Sequence, residues 1–447
     1  MNRSIRFLHT ADLHIGRPFS GIGSLDTMWQ SRITNATPAA FNTLCDYAIE
    51  KKVDFVLVAG DVFDRSPADY SDYALFFAGL KRLAQEGIHT YICAGNHDPY
   101  SSWKPAYFSE TPSIHVIDAQ GPSYFVHYRD GQPLCYIAGR SYKKKAWDSH
   151  ESIIEGLSYQ DIKQHALEHL TPDILRENTM DDLEKLPAIA MAHTSLDKGN
   201  DTRYAPVTKQ QLQATGVTYW ALGHIHSFEC FPDNKKPFAA YSGCLQGGDI
   251  GECGDKGFLD VEIALPASAP KVTFKPASSV CWQDLAVDIS RCSTIDAVQE
   301  LIESTCTDSL TQSNSRCLVA RVRLTGITPL FTELSTGTTI QELRAEVNRK
   351  LTNVLVFELV NKTTMEDDAV LSPVPGTFLA GMLEQADKLN AAPDSFRNEL
   401  INYCNKCNNL SDKTALINYL NSLSEEDLKE LLNNEKMTVA HNLMNTA

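Results

Sequence analysis

From the start of the chain to about residue 265, short apolar runs rich in β-formers alternate with longer stretches of helical period. The runs Ile5–Leu8, Phe55–Ala59, Thr90–Cys93, Leu134–Ala138, Ala188–Ala192 and Tyr219–Leu222 predict strands, and Pro38–Lys51 and Ala68–Glu86 predict helices. Strands alternating with helices predict an α/β core. The stretch ALPASAPKVTFKPASS, with Pro266, Pro270 and Pro276, predicts a linker. A second unit follows over residues 280–370, with strand Trp282–Ile289, helix Thr294–Ser304, strand Cys317–Leu324, helix Thr339–Leu351 and strand Asn353–Val360. LSPVPGTF, with Pro373, Pro375 and Gly376, breaks the pattern again. Residues 376–447 then predict a few short helices. In LSEEDLKELL, Ser424 serves as a cap, Asp427 falls in the first turn, and Leu428, Leu431 and Leu432 share a face. The domains expected are therefore 1–265, 280–370 and 376–447.

Five of the early strands finish in a similar way. The first ends in TADLH, which places Asp12 and His14 two apart, where side chains of an extended segment point the same way. The second ends in GDVFD, with Asp61 and Asp64; the third in GNHD, with Asn96, His97 and Asp98. The run near 190 ends in AHTS, with His193, and the run near 220 ends in GHIH, with His224 and His226. An acid or amide after a strand is usually a turn or cap residue, and a lone histidine near a core usually bonds a carbonyl. Five such endings in one domain exceed what capping explains. They also fall where open α/β sheets gather their sites, beyond the carboxyl ends of the strands. Oxygen ligands mixed with imidazoles suit manganese, iron or zinc, and the absence of thiolates argues against a structural zinc site. Asp12, His14, Asp61, Asn96, His193, His224 and His226 are too many for one ion. Two ions at ~4 Å, bridged by one carboxylate, use them all. Asp61, on the middle motif, is the natural bridge. Asp64 reads as the cap of the following helix and stays outside this set.

The composition narrows the classes. A chain of 447 residues with 43% apolar content has room for two or three domains with real cores. No apolar run approaches the roughly 20 residues needed to span a bilayer, and the N-terminus has no secretory core, so a cytoplasmic protein without membrane contact is expected. The net charge of −16 argues against holding nucleic acid by bulk positive charge, yet allows local contacts and metal ions. Of the 12 cysteines, most sit singly in apolar segments, as Cys93, Cys135 and Cys317 do, and read as buried thiols. The pair Cys404 and Cys407 lacks the second CxxC of a zinc ribbon. Candidate phosphate contacts are Arg17, Arg65, and Arg140, Lys143, Lys144 and Lys145 beside Trp147 in GRSYKKKAW. The same run also reads as a solvated face.

In that order, DxH, GDxxD, GNHD, a later His and GHxH resemble the signature of the calcineurin-like metallophosphoesterases. FLHTADLHIGRPF and GDVFDRS resemble the SbcD-type DNA repair exonucleases, particularly their YhaO branch. YSGCLQGGDIGECGDKGF is similar to that branch's YxGxxQG…GxKG stretch. The resemblance covers about the first 265 residues; the next unit is similar to the family's DNA-capping domain in position and pattern, and the last helices only in location. It implies an α/β fold, a four-layer αββα sandwich, followed by a small α/β capping domain and C-terminal helices. It implies two divalent ions, with manganese as the metal. One would be held by Asp12, His14, Asp61 and His226, the other by Asp61, Asn96, His193 and His224. His97 would be the catalytic histidine, with Asp98 orienting its ring. The activity implied is that of a double-strand 3′–5′ DNA exonuclease with single-strand endonuclease activity in DNA repair. The partners implied are DNA, an SbcC-like SMC-type ATPase bound through the helices after the capping domain, and a second copy in a homodimer. Relatives carry a basic residue after QG where this chain reads GGDIGE, so a DNA contact is not carried over there. Two rivals are a small-substrate phosphodiesterase, which would need no capping unit, and a non-catalytic DNA-end clamp, which would not need a full ligand set.

Overall fold

Every apolar run expected to be a strand is one in the computed structural model, which describes residues 4–21, 25–148, 150–170, 174, 176, 178–197, 202–266, 268–365, 378–406 and 413–445. In chain order the strands are β1 (Ser4–Thr10), β2 (Phe55–Ala59), β3 (His89–Cys93), β4 (Ile114–Val116), β5 (Ser123–Arg129), β6 (Gln132–Gly139), β7 (Ala188–His193) and β8 (Tyr219–Gly223). They continue with β9 (Glu229–Phe231), β10 (Ala239–Tyr241), β11 (Gly257–Ala264), β12 (Lys271–Pro276), β13 (Val280–Asp288), β14 (Cys317–Thr325) and β15 (Val354–Asn361). One six-stranded sheet has the order β12-β11-β1-β2-β3-β4, and a second has the order β5-β6-β7-β8-β10-β9. Within them β1 to β4 are parallel, as are β6, β7, β8 and β10, while β11, β12, β5 and β9 pair antiparallel.

The interior strands are buried along their whole length, which is why FVLVA, AIAMA and YWALG carry no polar alternation. Alternate residues of β2 serve two cores. Phe55, Leu57 and Ala59 meet Ile137, Ile189 and Met191 between the sheets. Val56 and Val58 face Phe41, Leu44, Phe76 and Leu80 of helices Ala36–Lys51 and Tyr70–Gln85. On the far side, Ile162 and Ala166 of helix Tyr159–Glu168 pack on Tyr136, Ala138 and Trp220. Each such buried large side chain contributes on the order of 1.5–3 kcal/mol. The layers are thus helix, sheet, sheet, helix, and the strand ends of both sheets come together at one edge.

The proline-rich stretch expected as a linker is corrected in part. Lys271–Pro276 is β12, paired with β11 from Gly257↔Pro276 to Glu262↔Lys271. Val272 and Phe274 pack against the inter-sheet core, which is the gain that outweighs the loop-like composition. The strands β13, β14 and β15 form a separate sheet in that order. The chain divides into two compact units, Met1–Gln283 with Asp308–Ala320 and Asn353–Phe357, and Asp284–Thr307 with Arg321–Thr352 and Glu358–Ala447. In the tail, Ser424 caps helix Glu425–Asn445: its hydroxyl accepts from the Asp427 amide at 3.1 Å and its amide donates to the Asp427 carboxylate at 3.0 Å. Leu428 and Leu432 are buried while Leu431 is exposed. Pro373, Pro375, Gly376 and Cys407 lie outside the described residues. The described cysteines are free thiols, Cys404 among them. No described helix is long and apolar enough to cross a membrane.

Burial holds three histidines of this fold uncharged, pushing His9 and His127 down to about 3 and His115 to about 4. An unfolded chain takes up protons on these rings from about pH 6.5, before the folded chain does. Stability is therefore full above pH 6.5 and falls as pH drops through the window from 6.5 toward 3, by about 1.4 kcal/mol per pH unit for each fully buried ring. Melting curves at stepped pH should show the midpoint falling below pH 6.5, with a shallower fall in His127→Phe; a midpoint flat down to pH 4 would contradict this.

Candidate metal centre

Where β1 and β2 end, their chains stay side by side. The amides of Asp12, His14 and Ile15 donate to the carbonyls of Gly60, Asp61 and Val62 at 3.0, 3.1 and 2.8 Å. Asp12, His14 and Asp61 have φ of 51°, 45° and 51°, and His224 has 102°. These are left-handed backbone conformations that a side chain rarely adopts, at about 1–3 kcal/mol each, and they coincide with four of the seven expected ligands. Two glycines make room. A Cβ on Gly95 would lie 2.1 Å from the Asp61 Oδ1, and one on Gly223 would lie 1.9 Å from the Ala59 carbonyl oxygen.

The result is a dense polar cluster. Asp12, Asp61 and His193 are 1%, 2% and 0% exposed. The Asp61 Oδ2 stands 3.9 Å from the His14 Nε2 and 3.3 Å from the His193 Nε2, between two groups of ligands. On one side, the His14 Nε2 and His226 Nε2 face each other at 3.2 Å, and the Asp12 Oδ1 is 3.8 Å from the His226 Nε2. On the other, the Asn96 Oδ1 is 3.0 Å from the His193 Nε2, and the His224 ring lies 5.3 Å from that of His193. The His224 amide donates to both Asp12 oxygens at 3.0 and 3.1 Å. The His193 Nδ1 faces the Ala59 carbonyl at 3.0 Å, which leaves its Nε2 as the nitrogen presented to the cluster.

This arrangement calls for added positive charge. Burial pushes the Asp12 carboxyl up. Burial acts the same way on Asp61, but the neighbouring His193 overcomes it and holds that carboxyl well below the usual range. Burial opposes protonation of His193, and Asp61 and Asp12 outweigh it and lift the ring to about 9. The charges acting most strongly on the two buried carboxylates are thus imidazoles, not a lysine or arginine. Two Nε2 atoms facing at 3.2 Å, with carboxylates on either side, are a donor set suited to cations. Among the described residues four groups of potential ligand atoms lie within 4.8 Å of one another: Asp12–His14–His226 and Asp12–Asp61–His193, which share Asp12, and at their edge His14–Asp64–His97 and His226–Cys244–Glu252. The residues present therefore fit a pair of divalent ions.

Of the seven residues expected as ligands, Asp12, His14, Asp61, His193 and His226 fall in these groups, while the Asn96 Oδ1 and the His224 ring lie beside His193. The expectation for Asp98 is corrected: one of its oxygens accepts from the Val62 and Phe63 amides at 2.9 and 3.2 Å, and the other from Gly95 at 2.8 Å. It staples two strand-end loops, and burial lifts it to about 8. The His97 Nδ1 instead faces the Asp64 carbonyl at 3.2 Å and the Asp64 Oδ1 at 3.9 Å. Asp64 Oδ1 is also 3.2 Å from the His14 Nδ1, so this residue, read as a cap, belongs to the site. Glu252 is another that the sequence did not single out: its Oε1 is 2.5 Å from the His226 Nδ1. Among the proposed phosphate contacts, Arg17 is bound to Asp249 and Glu252 at 2.6 and 2.8 Å. Arg140 is buried, paired with Glu151 and stacked 5.2 Å over Trp147. Both guanidiniums are thus neutralised by carboxylates of the same chain. Arg65 is exposed, 3.7 Å from Asp69. Lys143 and Lys144 are exposed at the rim of a cavity of about 230 Å³.

A family model of calcineurin-like phosphoesterases matches residues 5–228. The chain belongs to that family. The two six-stranded sheets of this phosphoesterase are the metallophosphoesterase fold, and the family uses a dimetal centre. A second model, the middle domain of the metallophosphoesterase YhaO, matches residues 282–364. The phosphoesterase is 28% identical over 398 residues to the uncharacterized metallophosphoesterase YhaO of Bacillus subtilis, covering 87% of this chain and 88% of that protein. It is 29% identical over 244 residues to the SbcD subunit of the nuclease SbcCD of Escherichia coli, covering 50% of this chain and 56% of that protein. It is 26% identical over 246 residues to the DNA double-strand break repair protein Mre11 of Aeropyrum pernix, covering 54% and 53%. The phosphoesterase thus spans about half the length of these two relatives.

Gly95→Ala should push Asp61 out of place, because its new methyl occupies the position of a carboxylate oxygen. The expected outcome is a loss of about 1–3 kcal/mol in stability and of at least one bound ion, read by thermal melting and elemental analysis. Wild-type metal content in this variant would contradict the geometry.

Proposed function

We propose that this phosphoesterase is a two-metal DNA nuclease of the cytoplasm. The observation that carries the reading is a buried cluster of ligand atoms, with two groups that share Asp12, and the half-exposed His97 ring beside it, 4.8 Å from His14 and perpendicular to it. Asp12, His14, Asp61 and His226 would hold one ion, and Asp61, Asn96, His193 and His224 the other, with manganese as the metal. Two such ions supply the charge neutralisation and the acidified water that hydrolysis of an anionic phosphodiester needs.

The protein's own groups divide the remaining work. Asp61 accepts the His97 amide on its Oδ1 at 2.9 Å, which keeps the Oδ2 turned to the ligands and fixes the GNHD loop. Asp64 holds the His97 Nδ1, so Nε2 is the nitrogen left to exchange a proton with the leaving oxygen. Tyr204 packs against the His224 ring, their centroids 4.7 Å apart. DNA as the substrate is supported by the nuclease and break-repair relatives, and attack from duplex ends 3′–5′ with single strands cut internally is the form of that activity which the sequence resemblance implies. An SbcC-like SMC-type ATPase as the partner is supported by the SbcCD relative and by exposed Leu431 and Val439 on the last helix. Such a partner would supply the basic surface that a net charge of −16 withholds.

Purified protein with manganese should shorten a blunt duplex from its ends. Turnover of bis(p-nitrophenyl) phosphate without duplex degradation would replace DNA by a small substrate, and inactivity on both would remove the enzyme reading. His97→Ala should keep its metal content and lose about 10²–10⁴-fold in hydrolysis rate. An unchanged rate would take His97 out of the mechanism.

A further inference from the structure

Three imidazoles of the centre are held in different ways. His193 is fully enclosed and tied to the Ala59 carbonyl. His14, its side chain 6% exposed, stands beside Asp64. His226 lies on a loop past the glycine that ends β8, and its side chain is 30% exposed, so surrounding bulk does not fix its ring. Its position depends on specific partners: His14 and Asp12 on the Nε2 side, and on the Nδ1 side and main chain a single segment of the chain.

We propose that Glu252 is a positioning residue for His226. With Arg17 and the segment 244–256, it forms a clamp that sets the affinity of one ion position and leaves the other alone. The Glu252 Oε1 accepts from the His226 Nδ1 at 2.5 Å, which makes Nε2 the ligating nitrogen. Nε2 is the atom that faces His14 at 3.2 Å, so Glu252 stands behind the ring rather than among the ligands. The carboxylate is itself immobilised: its Oε2 accepts from the Gly248 amide at 2.6 Å and its Oε1 from the Arg17 Nη1 at 2.8 Å. Arg17 is anchored in turn on Asp249 at 2.6 Å. The main chain of His226 is held by the same segment, its carbonyl accepting from the Lys256 Nζ at 3.1 Å and the Cys244 amide at 3.4 Å. The His193 ring nitrogens face the Ala59 carbonyl and the Asn96 Oδ1, neither of which belongs to the clamp. A carboxylate behind a ligating imidazole orients the ring and strengthens it as a donor, and removing such a partner typically weakens metal binding about 10–100-fold.

This inference rests on the reading of the site as a two-ion centre, and its test reads metal binding, not hydrolysis. Metal-free protein is titrated with Mn²⁺ by calorimetry, alongside Glu252→Gln, His226→Asn and the double variant. Wild type should bind two ions. Glu252→Gln should bind one as tightly as wild type and the other about 10–100-fold more weakly. The double variant should be no weaker than His226→Asn alone, because both changes act on one ring. Arg17→Gln should weaken the same ion to a smaller degree, which keeps the test open if Glu252→Gln does not fold. Two wild-type affinities in Glu252→Gln, equal weakening of both ions, or additive losses in the double variant would overturn the clamp. Two ions bound by a wild type that cleaves no phosphodiester would leave the clamp standing and remove the nuclease reading.

Discussion

Asp12 and Asp61 are buried together where parallel strands end, and the rest of the site exists to make that tolerable. Removing a carboxylate from water costs several kcal/mol unless charge and hydrogen bonds compensate. Here the compensation is spread over amides of His97 and His224 and over the surrounding imidazoles. The left-handed turns at Asp12, His14 and Asp61 and the missing side chain at Gly95 follow from the same demand: the chain bends into costly conformations to bring oxygen and nitrogen ligands within reach of one small volume.

The fold supplies the rigidity for this. Parallel strands buried on both faces fix where each chain end emerges, and the inter-sheet core of Phe7, Phe55, Leu57, Ile189 and Met191 holds the two sheets face to face. Asp98 ties the loops after β2 and β3 to each other through three amides. A ligand set drawn from five loops can be precise only because each loop is short and starts from an immobile strand.

The polar residues that gather at the strand ends were legible in the sequence because strand ends bear a simple relation to it: an apolar run followed by glycine and a polar cluster marks both the strand and its exit. The residues behind the ligands were not legible, because their partners are distant in the chain. Glu252 meets His226 and Arg17, and nothing local to GGDIGE announces either contact. Arg17 and Arg140 looked like phosphate binders for the same reason, since a sequence displays a positive charge but not the carboxylate that neutralises it. Asp64 had a plausible local role as a cap and proved to face two imidazoles. The short strands β4, β9 and β10 carry too few residues to show a period, and β12 is marked by prolines at its ends, so its pairing with β11 is a tertiary fact.

Anomalous scattering from crystals grown with manganese bears most directly on the whole account. Two peaks are expected per chain, one among Asp12, His14 and His226 and one among Asn96, His193 and His224, with Asp61 between them. A single peak, or metal bound away from Asp61, would show that the buried carboxylates are held by some other means.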